Sequence, residues 1–224
     1  MTAYPRPVLH IQQVEITSRC NLACKYCPHP GMPRPKLDMD EPTLLRVIGW
    51  LRYFASLGTQ GVFALCGIGE PLFHPDLVRL CWLIRRALPH QRFFFSTNGL
   101  LLTDEIAAEL ALMRVWIDIS LHRPEKAGLA IEIARRHNIL GTAASYAATA
   151  SVDWAGQVDW PVMVPRSPCP WLHGGGVSIM ADGRVTTCCF DTDGCGVIGH
   201  VDDPYTSVWQ TTPFRICSAC HHDP

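Results

Sequence analysis

The 224-residue chain lacks any apolar run close to the roughly 18 residues needed to cross a bilayer. Its opening, Met1 to His10, holds two prolines and none of the continuous apolar stretch that directs export. Net charge is also nearly absent, formally -1 at pH 7, so nothing draws the whole molecule to a nucleic-acid backbone or an anionic lipid surface. Neither membrane nor nucleic acid is expected as a partner. Charged residues reach only 17% against 48% hydrophobic, which describes a globular chain able to bury one sizeable core and a small appendage. A soluble, cytoplasmic protein is the expectation. A reducing compartment then excludes a disulfide framework.

Cysteine is the residue present in excess. Eleven in 224 is more than packing requires, the number is odd, and metal binding is the remaining explanation. Three cluster at Cys20, Cys24 and Cys27, two stand alone at Cys66 and Cys81, and six fall between Cys169 and Cys220. Cys81 lies on the apolar stripe of a predicted helix and reads as a packed thiol. Cys66 ends a predicted strand, where packing is the plainer reading and a role in a site the alternative.

From residue 12 to about 148 short apolar runs alternate with longer amphipathic ones. Strands are predicted at Val14–Thr17, Gly61–Leu65, Arg92–Ser96, Val115–Leu121 and Leu140–Ala147. Between them lie helices at Glu41–Leu57, Pro75–Leu88, Thr103-capped Asp104–Met113 and Pro124–His137. Repeated βα order predicts parallel strands with helical crossovers, and too few units for a closed eight-stranded barrel. The fold class expected is α/β: an open, partial (β/α) barrel over residues 1–150, with chemistry at the C-terminal ends of its strands. Residues 151–224 are rich in Gly, Pro, Asp and Cys and show one strand pair, Val177–Met180 and Arg184–Thr187, turning at Ala181-Asp182-Gly183. Such a segment has little core of its own, and a metal could supply the missing stability.

Cys20-Asn-Leu-Ala-Cys24-Lys-Tyr-Cys27 puts three thiols in one short loop after a strand. Iron–sulfur clusters are normally held by four cysteines, so three leave one iron open to a substrate. A zinc loop or buried thiols are the plain alternatives, although zinc sites usually pair C-x2-C knuckles. The C-x3-C-x2-C spacing resembles the radical S-adenosylmethionine superfamily. That resemblance implies a [4Fe-4S] cluster on Cys20, Cys24 and Cys27, with its open iron on the amino and carboxylate groups of S-adenosylmethionine. It also implies that Tyr26 lies near the adenine, that Gly67, Gly69, Glu70 and Pro71 of Cys66-Gly-Ile-Gly-Glu-Pro-Leu72 form the loop at the methionine end, and that Asn98 of Ser96-Thr-Asn-Gly99 and Ser120 and His122 of Asp118-Ile-Ser-Leu-His122 complete the site. Bare glycine backbone suits close approach of the cofactor, and an acidic group or a carbonyl can accept from its ammonium. Taken singly, Asn98, Ser120 and His122 read equally well as turn and strand-end hydrogen-bonding residues.

Downstream, Cys169, Cys188, Cys217 and Cys220 make a full set of four thiols, closed by a C-x2-C knuckle. The arrangement resembles the Twitch domain, the short form of the SPASM domain, which implies a second, auxiliary [4Fe-4S] cluster; Trp154-Ala-Gly156 and Val208-Trp209 fit the same pattern. A four-cysteine zinc site is the alternative. Cys188 and Cys189 point to opposite faces if extended, and the pattern counted from Gly183 selects Cys188. Cys195 falls outside the set, as a bystander thiol, a substitute ligand or a hydrogen-atom donor in catalysis.

The resemblance implies an oxidoreductase that cleaves S-adenosylmethionine to a 5'-deoxyadenosyl radical and abstracts hydrogen from a small molecule or peptide. In layout the chain is similar to small Twitch-type dehydrogenases of aminocyclitols, as in butirosin biosynthesis, with the auxiliary cluster accepting an electron. A flavodoxin or ferredoxin would be the electron donor. A radical epimerase or peptide maturase with a cysteine donor is the nearest alternative. An iron–sulfur electron carrier and a zinc-binding interaction module are the alternatives of another class.

Overall fold

The computed structural model describes residues 6–144, 152–210 and 214–223. The expected α/β architecture is present: an open, mostly parallel sheet interleaved with helices, followed by a cysteine-containing C-terminal region. The first strand pair member is β1 (Arg6–Pro7), after which β2 (His10–Val14) enters the sheet interior. Then come α1 (Glu41–Ser56), β3 (Phe63–Ala64), α2 (Leu77–Ala87), β4 (Phe93–Thr97), α3 (Asp104–Leu112), β5 (Trp116–Ser120), α4 (Pro124–Arg136) and β6 (Leu140–Ala144). Thr103 accepts from Ile106 N at 3.3 Å to start α3, the cap the sequence predicts, and Asp40 accepts from Thr43 N at 2.8 Å to start α1. The far end of the last predicted strand, toward Ala147, and the 150/151 division lie outside the described residues.

One difference is instructive. β2 begins and ends earlier than expected: Glu15 N still donates to Ile179 O of the neighbouring strand at 2.8 Å, and beyond it Thr17 bridges Asp38 instead.

The C-terminal stretch does not stand apart from the sheet. Beyond β7 (Ser167–Pro168) and a short helix at Pro170–Gly174, β8 (Gly176–Ile179) pairs parallel to β2, and β9 (Arg184–Thr186) and β10 (Val197–His200) follow it antiparallel. The eight-stranded order is β10-β9-β8-β2-β3-β4-β5-β6. Sequence patterning gave no sign of this, since pairing partners in a sheet are set by tertiary packing. Two further pairs close the structure: β1 with β11 (Trp209–Gln210), and β7 with β12 (His222–Asp223).

The main core runs through the whole sheet, from Ile11, Trp50 and Phe54 to Val177, Ile179, Val185 and Val201. Burying each such side chain contributes about 1.5–3 kcal/mol relative to exposure. Phe63 and Phe93 stack with centroids 5.5 Å apart, and the fully buried Trp50 donates its indole N–H to Val201 O at 3.1 Å, tying α1 to the C-terminal half. A second, much smaller core of Val152, Ala155, Phe190, Ile216 and Cys220 surrounds the late cysteines.

Candidate functional site

Because β2 has β3 on one side and β8 on the other, the loop leaving its C-terminal end emerges where strand order reverses, the usual place for a ligand crevice in open α/β sheets. That loop carries Cys20, Cys24 and Cys27. It leaves and returns through one clasp: Ser18 N donates to Leu37 O at 2.9 Å, Leu37 N to Ser18 Oγ at 2.9 Å, and Arg19 pairs with Asp38 at 2.6 Å.

A cavity of about 260 Å³ lies over these strand ends. Cys20, Cys24, Cys27 and Tyr26 line it from the first loop, Gly67, Gly69 and Glu70 from the loop after β3, Asn98 from the end of β4, and Ser120 and His122 from the end of β5. Pro71 does not line it; it starts a buried 3-10 turn, Pro71–Phe73, that leads away. Cys66 lines the cavity as well, its thiol pushed up to about 11 by burial. Cys81 is buried in the core, and Cys195 is exposed on the surface, where its sulfur accepts from Arg215 at 3.1 Å.

Glu70 organises this site rather than presenting a free carboxylate. It is 3% exposed and accepts from Thr97 Oγ1 at 2.6 Å, Asn98 N at 2.7 Å and Leu72 N at 3.0 Å. With three of about four lone-pair sites in use, its task is to staple the β3 loop to the β4 loop. Burial still pushes its carboxyl above the ordinary range. Asn98 in turn donates to Asn21 Oδ1 at 2.8 Å, reaching back to the first loop. The glycines line the cavity and also serve the protein behind them. A Cβ on Gly69 would lie 2.3 Å from Thr17 O and 2.6 Å from Arg19 O, and one on Gly67 would lie 2.5 Å from Glu15 Cγ. Their missing side chains make room for the protein behind the loop, which brings the cysteine loop and the glycine loop into contact.

Tyr26 is held on three sides. Its hydroxyl bonds His122 Nδ1, its carbonyl accepts from Trp154 Nε1 at 3.0 Å, and its ring lies 5.3 Å from Trp160. Burial lowers the His122 pKa, so its ring is neutral at pH 7. Trp154, Ala155 and Gly156 occupy three successive left-handed positions, φ 54°, 58° and 77°. That turn, costly for non-glycine residues, aims Trp154 over the cavity.

The second set of thiols converges separately. Cys169, Cys188, Cys217 and Cys220 line one small cavity with Leu172, Phe214, Ile216 and His222. The adjacent Cys189 lines the larger of these two cavities, together with Phe190, and its side chain meets that of Cys188, so the neighbouring thiols join the two spaces. The two cavities are thereby only one residue apart along the chain.

Among the described residues no three His, Cys, Asp or Glu side chains are drawn to metal-binding distance. The donor chemistry nevertheless fits iron–sulfur ligation. Burial pushes Cys20 up and Cys27 to about 11, and it raises Cys169, Cys217 and Cys220, each further opposed by the charge a neighbouring thiolate would carry. Cys188 is raised first by its bond with Cys189 and then by burial. Thiols crowded in this way ionise readily only with a bound metal to supply the countercharge. Backbone N–H groups also point at three of the sulfurs: Leu22 N to Cys20 at 3.4 Å, Phe190 N to Cys188 at 3.3 Å and His222 N to Cys220 at 3.4 Å. Such bonds tune iron–sulfur centres.

Sequence reasoning did not single out Glu15, Arg34, Asn21 or Thr97 as site residues, and it weighed Cys189 only as a substitute for Cys188 as ligand. Glu15 offered one signal, a charge between Val14 and Ile16 in an apolar run, which demands a buried partner.

A family model described as the Radical SAM superfamily matches residues 14–164. The GTP 3',8-cyclase of Aquifex aeolicus (strain VF5) is 31% identical over 123 residues, 53% of this chain and 37% of that protein. The S-adenosyl-L-methionine-dependent 2-deoxy-scyllo-inosamine dehydrogenase of Niallia circulans is 29% identical over 93 residues, 42% of this chain and 36% of that protein. These matches span little more than a third of the relatives' lengths, 37% and 36%. The crystal structure of BtrN in complex with AdoMet and 2-DOIA superposes with a TM-score of 0.74 at 21% identity, covering 91% of this chain and 82% of that one, a likeness of fold.

Proposed function

This chain belongs to the Radical SAM superfamily, whose members use S-adenosylmethionine and an iron–sulfur cluster, and on that premise we propose that it is a dehydrogenase-like enzyme with two [4Fe-4S] clusters acting on a small molecule or peptide. The observation that carries this reading is the shared cavity: Cys20, Cys24 and Cys27 line it on one side, and Cys189 and Phe190, next to Cys188 of the second thiol set, line it on another. A substrate in that space would lie between a radical source and an electron acceptor.

Cys20, Cys24 and Cys27 would hold a cluster, which would supply the one-electron chemistry by which S-adenosylmethionine is cleaved to a 5'-deoxyadenosyl radical. The protein's part is containment. Glu70 fixes the β3 and β4 loops so that the cavity floor does not shift, and Asn98 ties them to the cysteine loop. The neutral His122 holds the Tyr26 hydroxyl, while Trp154 and Phe190 wall the space with apolar surface that keeps water from a reactive radical. Cys169, Cys188, Cys217 and Cys220 would hold the auxiliary cluster, and an external flavodoxin or ferredoxin would deliver electrons.

Anaerobic reconstitution tests the two-cluster reading. Wild type should take up about eight irons, two clusters of four, and Cys20/Cys24/Cys27→Ala about half as many. Full iron in the triple variant, or only four in the wild type, would contradict it.

A further inference from the structure

The Glu15 and Arg34 side chains are 5% and 6% exposed, and everything they touch belongs to a different part of the site. Arg34 Nη2 donates to Glu15 Oε1 at 2.8 Å and to Oε2 at 2.7 Å, and its Nε donates to Thr192 O. Glu15 also accepts from Ile68 N at 3.1 Å and Ala181 N at 3.2 Å. Arg34 stands on the return leg of the Cys20–Cys27 loop, inside the clasp at Ser18 and Leu37. Ile68 lies between the two cavity glycines. Ala181 is the turn of the β8–β9 hairpin.

Thr192 belongs to the loop that carries Cys188 and Cys189, and that loop is itself rigid. Asp191 accepts from Thr186 Oγ1 at 2.5 Å, Cys195 N at 2.7 Å and Gly196 N at 2.7 Å, so a grip on Thr192 is a grip on the whole turn. The ion pair thus meets, in one place, the loop of the first thiol set, the glycine loop, and the loop of the second set. Gly67 exists to admit it, since a Cβ there would overlap Glu15 Cβ and Cγ at 2.6 and 2.5 Å.

A buried ion pair is a poor device for stability, because desolvation consumes most of what the charges gain and well-packed apolar side chains often serve as well. Its value lies in fixed geometry: one guanidinium nitrogen and two backbone N–H groups converge on the same carboxylate, while the guanidinium's Nε is taken by Thr192 O. We propose that Glu15 and Arg34 are positioning residues that hold the Cys188–Cys189 loop in one orientation against the Cys20–Cys27 loop, and so fix the relation of the two thiol centres across the cavity. This rests on the two-cluster reading for its magnetic test and stands apart from it for the other.

The test compares anaerobically reconstituted wild type with Glu15→Leu/Arg34→Met and with Gly67→Ala. The double variant should keep wild-type iron and unfold at a somewhat lower temperature, because Ile68 N and Ala181 N lose their acceptor. Amide exchange across 187–196 should quicken by roughly tenfold or more, as for any segment released to open locally. In the doubly reduced protein, the electron-spin splitting between the two clusters should broaden. Gly67→Ala, which pushes Glu15 aside without removing a charge, should reproduce both changes in weaker form. Unchanged exchange together with an unchanged splitting would overturn the proposal. A wild type with one cluster and no splitting would instead refute the two-cluster reading, and amide exchange alone would then decide whether the pair positions the loop.

Discussion

The sheet from β2 to β6 and the stretch from Val152 to Asp223 are held together by different means. The first has a continuous apolar core and capped helices; the second has five buried core residues of its own, two two-stranded pairs, and a mesh of side-chain bonds around its thiols. What is common to both is β8 to β10, which belong to the later stretch in sequence and to the main sheet in space. Stability in the first region therefore comes from burial. In the second it is expected to come from whatever the thiols hold.

The comparison can be broken most forcefully at the cysteines. Cys217→Ala/Cys220→Ala should open 152–170 and 214–223 to protease while the sheet, β8 to β10 included, keeps its far-ultraviolet circular dichroism, because removing a structural metal centre from segments with little core removes most of their folding energy. Cys20/Cys24/Cys27→Ala should leave protease resistance in both regions nearly unchanged, since the clasp at Ser18 and Leu37 closes that loop without metal. Equal sensitivity of the two regions in the two variants would erase the distinction.

A smaller effect is expected where the two loops touch. Gly69→Val places a side chain 2.3 Å from Thr17 O and should cost about 1–3 kcal/mol by overpacking, read from denaturant midpoints, with iron lost from the first set while the second retains its own. If the valine were tolerated with full iron, the contact between glycine loop and cysteine loop would not be what positions Cys20.

The smallest effect concerns Glu70, whose buried carboxyl has a pKa raised above its ordinary 4.5. A carboxyl raised on folding favours the folded state while protonated, so its contribution is present below about pH 4.5 and is lost as pH rises through the higher folded value. Glu70→Gln should remove that part of the pH dependence. It also sets an amide N–H against Asn98 N or Leu72 N, at a cost of about 1–3 kcal/mol for the donor left unpaired. A pH–stability profile parallel to wild type would show that Glu70 does not titrate in this range.

The same contrast explains what was legible in the sequence. Helices α1 to α4 and strands β3 to β6 announce themselves by period, cap and proline, because each contributes one apolar face to a common core. The cavity lining from Cys20 to His122 was legible through the family resemblance that the C-x3-C-x2-C loop and the motifs at successive strand ends carry. The pairing of β8 with β2 was not, because Gly176–Ile179 is buried along its whole length and so carries no alternation that names a partner strand. Nor was the role of Gly67 and Gly69, whose bareness reads as room for a ligand until Glu15 and Thr17 are found behind them. The contact between the Cys188 and Cys189 side chains was not legible either, because an extended chain would send them to opposite faces and the chain turns there instead, past the end of β9.

The central claim, that Cys20, Cys24 and Cys27 form the radical-generating side of the cavity, is tested most directly by incubating reduced, anaerobically reconstituted protein with S-adenosylmethionine and measuring 5'-deoxyadenosine. Wild type should form it, and Cys20/Cys24/Cys27→Ala should not. Failure of the iron-loaded wild type to form it with or without candidate substrates, or equal formation by the triple variant, would contradict the account.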